Sequence, residues 1–275
     1  METEFYPIAE PRVVYEGDGV IIVAKPAGMH CAPSGRGDPA VPGATLCDWL
    51  FERYPAAASV DGRGRGEGGL LHRLDGATSG LVAFAEDDAS FAAMSAAAAS
   101  GAFVKAYRAL CLPAPVGLAG SRPELYAPPG TDPDRWRSCL LRGDASALSS
   151  MLAGRAIESR FRPYGPGAAR VACSAIDQET GSRAKDWTRD PYRSDVVSAR
   201  PYASGILAEV RLTRGFRHQV RAHMAWLGLP LEGDGLYGDG GSAGEATELR
   251  LRAFRLSFPS PRGGGPVVVD ISEPC

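Results

Sequence analysis

Apolar positions along the chain alternate between two periods, and the switches mark the elements. Residues 13–15 and 20–24 are short apolar runs around Glu16-Gly17-Asp18-Gly19, and the Asp-Gly pair predicts a hairpin turn between two strands. Lys25-Pro26-Ala27-Gly28 breaks the second strand, and the Gly- and Pro-rich residues 30–44 read as a loop. Thr45 is placed to cap a helix whose apolar face is Leu46, Trp49, Leu50 and Tyr54, at helical spacing. Residues 61–69 are a glycine-rich loop, residues 79–85 a buried strand, and Asp87 or Asp88 caps an Ala-rich helix ending near Ser100-Gly101. Residues 103–112 form another strand.

Residues 113–200 carry many Pro, Gly and Arg and show little periodicity. The pattern there predicts one helix over about 145–159 and a strand over 170–176. Clear signals return with a strand at 206–212, a helix at 218–227 stopped by Gly228, and closing strands at 251–258 and 267–271. Strands and helices alternate without a regular β-α-β rhythm, and no internal repeat or heptad is present. The expected class is therefore α+β.

The 275 residues suffice for one large domain, and no apolar run approaches the ~18–20 residues of a membrane span. The acidic start Met1-Glu2-Thr3-Glu4 is not a secretory leader, so the expected location is the cytoplasm. The net charge of −2 does not itself point to nucleic acid, but only Lys25, Lys105 and Lys185 among the 30 basic residues are lysines. Arginine forks onto phosphates and stacks on bases better than lysine. Cys31, Cys47, Cys111, Cys139, Cys173 and Cys275 form no C-x-x-C pair and read as reduced apolar fillers with an exposed terminal thiol. His218 and His223 lie five apart, not the four that places two ligands on one helical face, so no metal site is expected. The glycines of 61–69 lack the strand-turn-helix setting of a dinucleotide site.

The densest cluster of informative residues is Leu71-His72-Arg73-Leu74-Asp75-Gly76-Ala77-Thr78-Ser79-Gly80-Leu81. On chemistry alone Asp75 is an acidic residue in a turn before a buried strand, and a turn cap is a more natural role than a nucleophile. The segment resembles the H-R-L-D-x-x-T-S-G-L signature of the RluA-type pseudouridine synthases. Three further blocks resemble that family in its order. They are Lys25-Pro26-Ala27-Gly28, Lys105-Ala106-Tyr107-Arg108-Ala109, and His218-Gln219-Val220-Arg221-Ala222-His223 with Gly228 to Gly233-Asp234 and Leu236-Tyr237-Gly238. The resemblance covers about 12–112 and 203–272 and is thin over 113–200.

The resemblance implies a single α+β catalytic domain over 1–275, with a mixed, mostly antiparallel central sheet flanked by helices and an active-site cleft. It implies an isomerase that converts uridine to pseudouridine in structured RNA, ribosomal or transfer RNA, as a monomer. No redox step or group donor is involved, so no cofactor is expected. Asp75 would be the nucleophile, attacking C6 of the base or C1′ of the ribose, or assisting ejection of the base. Arg221 would pair with it and keep it ionised. Tyr107 would stack on the uracil and assist removal of the C5 proton. Val220 would wall the base pocket, and Arg73 would hold the nucleotide out of its stack. Arg108, Arg214 and Arg217 are candidates for phosphate contacts. The family's T-G-[RK]-T before the histidine is here Arg214-Gly215-Phe216-Arg217, with Phe216 in a polar position. The small basic RNA-binding domain that often precedes the catalytic domain is expected to be absent. A non-catalytic RNA-binding or ribosome-assembly protein on the same fold is the competing reading; the presence of Asp75, Tyr107 and Arg221 argues against it.

Overall fold

The computed structural model describes residues 3–33, 43–178, 186–203, 205–238 and 248–272. In chain order the elements are β1 (Arg12–Gly17), β2 (Val20–Lys25), α1 (Leu46–Phe51), α2 (Pro55–Ala58), β3 (Ser79–Ala85), α3 (Asp88–Ala99), β4 (Val104–Cys111), α4 (Pro133–Arg142), α5 (Ala145–Leu152), β5 (Ala156–Tyr164), β6 (Arg170–Ser174), β7 (Tyr192–Tyr202), β8 (Gly205–Leu212), α6 (Gln219–Trp226), β9 (Leu251–Pro259) and β10 (Pro266–Asp270). The chain divides into two compact units, Met1–Ala106 with Arg252–Cys275, and Tyr107–Leu251. The expected class, α+β with mixed and mostly antiparallel pairing, is observed. No helix among the described residues is long and apolar enough to cross a membrane.

In the first unit the strand order is β1-β2-β3-β9, with β10 paired to β9. β2 and β3 are buried along their whole length, which is why their sequences read as continuous apolar runs rather than alternating ones. Asp18 and Gly19 both take positive φ, as a type I′ hairpin turn demands. Thr45 caps α1 in a reciprocal box with Asp48, and of the two candidate caps for α3 it is Asp87 whose carboxylate accepts the Ser90 N–H, at 2.7 Å. β3 meets β9 in parallel, Ser79 opposite Arg252 and Gly80 opposite Ala253. An added Cβ on Gly80, whose φ is +120°, would come within 2.2 Å of the Ala253 carbonyl oxygen, so only glycine fits there. Ile22, Leu81, Ala83, Phe103, Phe254 and Phe258 share one core with α3 residues Met94 and Ala97.

In the second unit β8, β7, β5 and β6 follow one another as antiparallel neighbours. α5 packs on β7 and β8, and α6 on β6 and β7. The helix expected over 145–159 stops at Leu152. Gly154, at φ +73°, turns the chain, and Ile157, Ser159 and Phe161 then bury at every second position, a strand period. α4 and β7 were not expected. α4 carries a legible start, Asp132 as cap followed by Pro133 at the first helical position. β7 does not alternate cleanly, because its register shifts between Val196 and Ser198. Cys31, Cys47, Cys111, Cys139 and Cys173 are buried free thiols, as small apolar fillers would be. Cys275, Lys185 and most of the 30–44 loop lie outside the described residues.

Candidate active site

Asp75 sits in a turn closed by the Thr78 N–H on the Asp75 carbonyl, at 3.0 Å, immediately before β3. The residues on either side of it are fixed by the chain around 25–31. Leu74 donates its N–H to Cys31 Sγ at 3.2 Å, and the Cys31 thiol donates back to the Leu74 carbonyl at 3.4 Å. The Gly76 carbonyl accepts from the Gly28 N–H at 2.8 Å and from Lys25 Nζ at 3.2 Å. Lys25 is fully buried and also donates to the carbonyls of Pro26 and Met29, at 2.9 and 2.7 Å, so all three ammonium protons are used. Burial pulls its pKa down to about 8, against the opposing pull of Cys31 and the Asp75 carboxylate. Gly76 packs close to the His30 ring, which an added Cβ would approach within 3.1 Å. The turn carrying Asp75 is thus held in one geometry by the Lys25-Pro26-Ala27-Gly28 segment.

His72 is half-buried on this loop, and its Nε2 accepts the Ala83 N–H at 3.2 Å. Burial lowers its pKa well below the usual histidine value. Arg73 is exposed and pairs with Glu67 at 3.3 Å.

Tyr107, Arg108, Arg214, Arg217, Val220 and Arg221 belong to the second unit. Tyr107 on β4 is buried, and its neighbour Arg108 is half-buried. α6 opens on His218 in the left-handed region, at φ +58°, and Val220 and Arg221 are buried in its first turn. The Arg221 guanidinium makes a two-pronged bond to Asp234, Nε to Oδ2 at 2.8 Å and Nη2 to Oδ1 at 2.7 Å. Asp234 Oδ1 also accepts the N–H groups of Leu236 and Tyr237, at 3.0 and 3.1 Å. Tyr237 lies under the guanidinium, 5.4 Å from ring centre to Cζ. Its hydroxyl accepts the Val171 N–H at 2.9 Å and meets His218 Nδ1 at 3.0 Å, and burial raises the pKa of the phenol. Asp234 and Tyr237 stand in a quoted motif block, but nothing in their spacing announced that they hold Arg221.

The loop before α6 shows why Phe216 tolerates its polar-looking position. Its ring stacks flat on Phe161 of β5, 4.9 Å away and 4° from parallel, and tilts against Tyr192 of β7. Arg214 and Arg217 flank it and are exposed. Arg214 lies over the Tyr192 ring at 4.3 Å, and Arg217 donates to the carbonyls of Ala168 and Arg170. α6 is anchored from below by His223, whose two ring nitrogens meet Ser159 and Ser194 hydroxyls at 2.9 and 2.8 Å and whose pKa burial lowers to about 3.

The family model described as RNA pseudouridylate synthase matches residues 19–226. An uncharacterized RNA pseudouridine synthase of Chloroflexus aurantiacus is 29% identical over 87% of this chain and 58% of its own length. A ribosomal large subunit pseudouridine synthase D of Xanthomonas campestris is 27% identical over 93% of this chain and 64% of its own length. The chain therefore spans about three fifths of the length of these relatives. The solved structure of human RNA pseudouridylate synthase domain containing 4 shares the fold, with a TM-score of 0.56 over 95% of this chain and 88% of that one at 16% identity. With its motif blocks in order and the family model matched over most of its length, the chain belongs to the RNA pseudouridylate synthase family, in its RluA-type branch.

Proposed function

We propose that this protein is an RNA pseudouridine synthase that isomerises uridine in structured RNA, with Asp75 as the nucleophile. The observation that carries the reading is the immobilised turn at Asp75, fixed through Leu74 and Gly76 by Cys31, Gly28 and Lys25. A surface turn cap needs no such support. Names of relatives that act on the ribosomal large subunit favour ribosomal RNA as the substrate and the cytoplasm as the location. The two units act as one catalytic domain in this reading, and the chain works as a monomer without a cofactor.

Within it, Arg221 is the cation that keeps Asp75 ionised. A guanidinium offers five N–H donors, and Asp234 takes those on Nε and Nη2, so service to a second carboxylate is compatible with the pair described. Tyr107 stacks on the uracil and Val220 walls its pocket. Arg73, Arg108, Arg214 and Arg217 hold RNA phosphates.

The test is Asp75→Asn. It keeps the side chain's size and any turn-capping ability while removing the carboxylate. Pseudouridine yield in ribosomal RNA should vanish, with melting temperature and RNA affinity nearly unchanged. A variant of near-normal yield would refute the role given to Asp75.

A further inference from the structure

β5 and β6 lie in the stretch where the motifs are thinnest, yet one of their faces gathers arginines and aromatic rings. On β5, Ile157, Ser159 and Phe161 bury, while Arg160, Arg162 and Tyr164 emerge half-buried on the opposite face. The register sets Tyr164 opposite Arg170 and Arg162 opposite the small Ala172. The Arg162 guanidinium lies 5.1 Å from the ring centres of both Tyr164 and Trp187, and that of Arg170 lies 5.7 Å from Tyr164. Arg162 donates to the Gly120 carbonyl at 3.0 Å, and Arg217 reaches the Arg170 carbonyl at 3.2 Å.

Charge is the telling feature. Arg193 on neighbouring β7 is clamped between Glu158 and Asp195, at 2.9 and 2.7 Å. Arg162, Arg170 and Arg217 have no carboxylate at ion-pair distance among the described residues. Two guanidinium groups over one tyrosine repel each other unless an anion joins them. The rings border both guanidinium groups, and a guanidinium has five N–H donors, of which Arg162 gives one on Nη2 to the Gly120 carbonyl.

We infer that this Arg-aromatic face of the second unit is an RNA-contact surface, taking the sugar–phosphate backbone and a stacked base of the substrate RNA. It rests on the proposal that the chain works on RNA. Phosphates suit forked guanidinium groups, and a half-exposed tyrosine beside them offers a plate for a base. An acidic protein would use the charges and leave the plate idle. Arg217 makes the face continuous with Arg214, already a candidate phosphate contact.

The experiment measures binding of the full chain to a transcript of large-subunit ribosomal RNA across a salt series. Arg162→Gln with Arg170→Gln should weaken binding by roughly tenfold or more and lower the slope of log affinity against log salt by about 1.4 to 1.8, the share of two phosphate contacts. Arg162→Lys with Arg170→Lys keeps the charges and should hold the slope near wild type. Ala169→Glu, at the exposed hairpin end beside Arg170, removes no contact and should weaken binding at least threefold, so the inference stays testable even if the Gln pair misfolds. Unchanged affinity and slope in the Gln pair or in Ala169→Glu would overturn it. Loss of polyglutamate binding with RNA binding intact would overturn it in favour of an acidic protein partner. Pseudouridine formation by the wild type is scored in parallel. RNA binding that depends on this face without any pseudouridine would support the surface and sink the catalytic proposal, so the two fail separately.

Discussion

Arg221 and Asp234 are joined by two charge-assisted hydrogen bonds at 2.8 and 2.7 Å, both side chains buried. Removing one member of such a pair leaves the other charge without it in a medium that solvates it poorly. Asp234→Ala should therefore cost about 3–5 kcal/mol of stability. Asp234→Asn, which keeps acceptors for the Leu236 and Tyr237 N–H groups, should cost less and still depress kcat, because the guanidinium loses the partner that orients it. Urea denaturation and single-turnover assays check both. A loss under about 1 kcal/mol in the Ala variant would show the pair to be incidental.

Tyr107→Phe separates the ring from its hydroxyl. If the hydroxyl assists proton removal at C5, tritium release from C5-labelled RNA should slow by about 10²–10⁴-fold with little change in KM. A variant as fast as wild type would confine Tyr107 to stacking.

Gly80→Ala and Gly28→Ala make a matched pair. Both positions have positive φ, +120° and +84°, but an added methyl on Gly80 strikes the Ala253 carbonyl while that on Gly28 meets nothing within 4 Å. Gly28→Ala should cost only the conformational strain, about 1–2 kcal/mol. Gly80→Ala adds overpacking of about 1–3 kcal/mol and should part β3 from β9. Thermal melts that ranked the two the other way round would contradict the close approach of these strands.

Acid should unfold the protein early. His223, with its pKa lowered to about 3, and His72, also well below the usual value, are neutral in the fold and titrate near 6.5 when unfolded. Below pH 6.5 the unfolded chain takes up more protons, so stability present above that pH falls as pH drops towards the folded values. The slope approaches about 1.4 kcal/mol per pH unit for each histidine. In His223→Gln the slope between pH 6 and 4 should be roughly halved; an unaltered slope would remove His223 from the explanation.

Much of the first unit was legible because its signals are local. The Asp18-Gly19 turn, the Thr45 cap and the buried runs of β2 and β3 each fall within a few residues. The motif blocks singled out Asp75 and Arg221, but not what supports them. Cys31 passed for an apolar filler, yet it fixes the Leu74 backbone from 43 residues away in sequence. Asp234 holds Arg221 through a contact that no periodicity records. In the second unit, local pattern misled where tertiary packing decides. The helical composition of 145–159 outran the turn at Gly154, and the register shift in β7 erased its alternation.

The parallel pairing of β3 with β9 also bears on how the protein is made. Residues 79–80 find their neighbours at 252–253, and the core around Ile22 and Leu81 is completed by Phe254, Leu256, Phe258 and Ile271. A ribosome delivers those last strands only after the whole of Tyr107–Leu251 has emerged. The nascent first unit must wait through that synthesis with one flank of β3 uncovered, a vulnerable interval of the kind that long-range pairing imposes. The strand that leads out of the Asp75 turn is made well before its β9 neighbour and is closed only when that neighbour arrives.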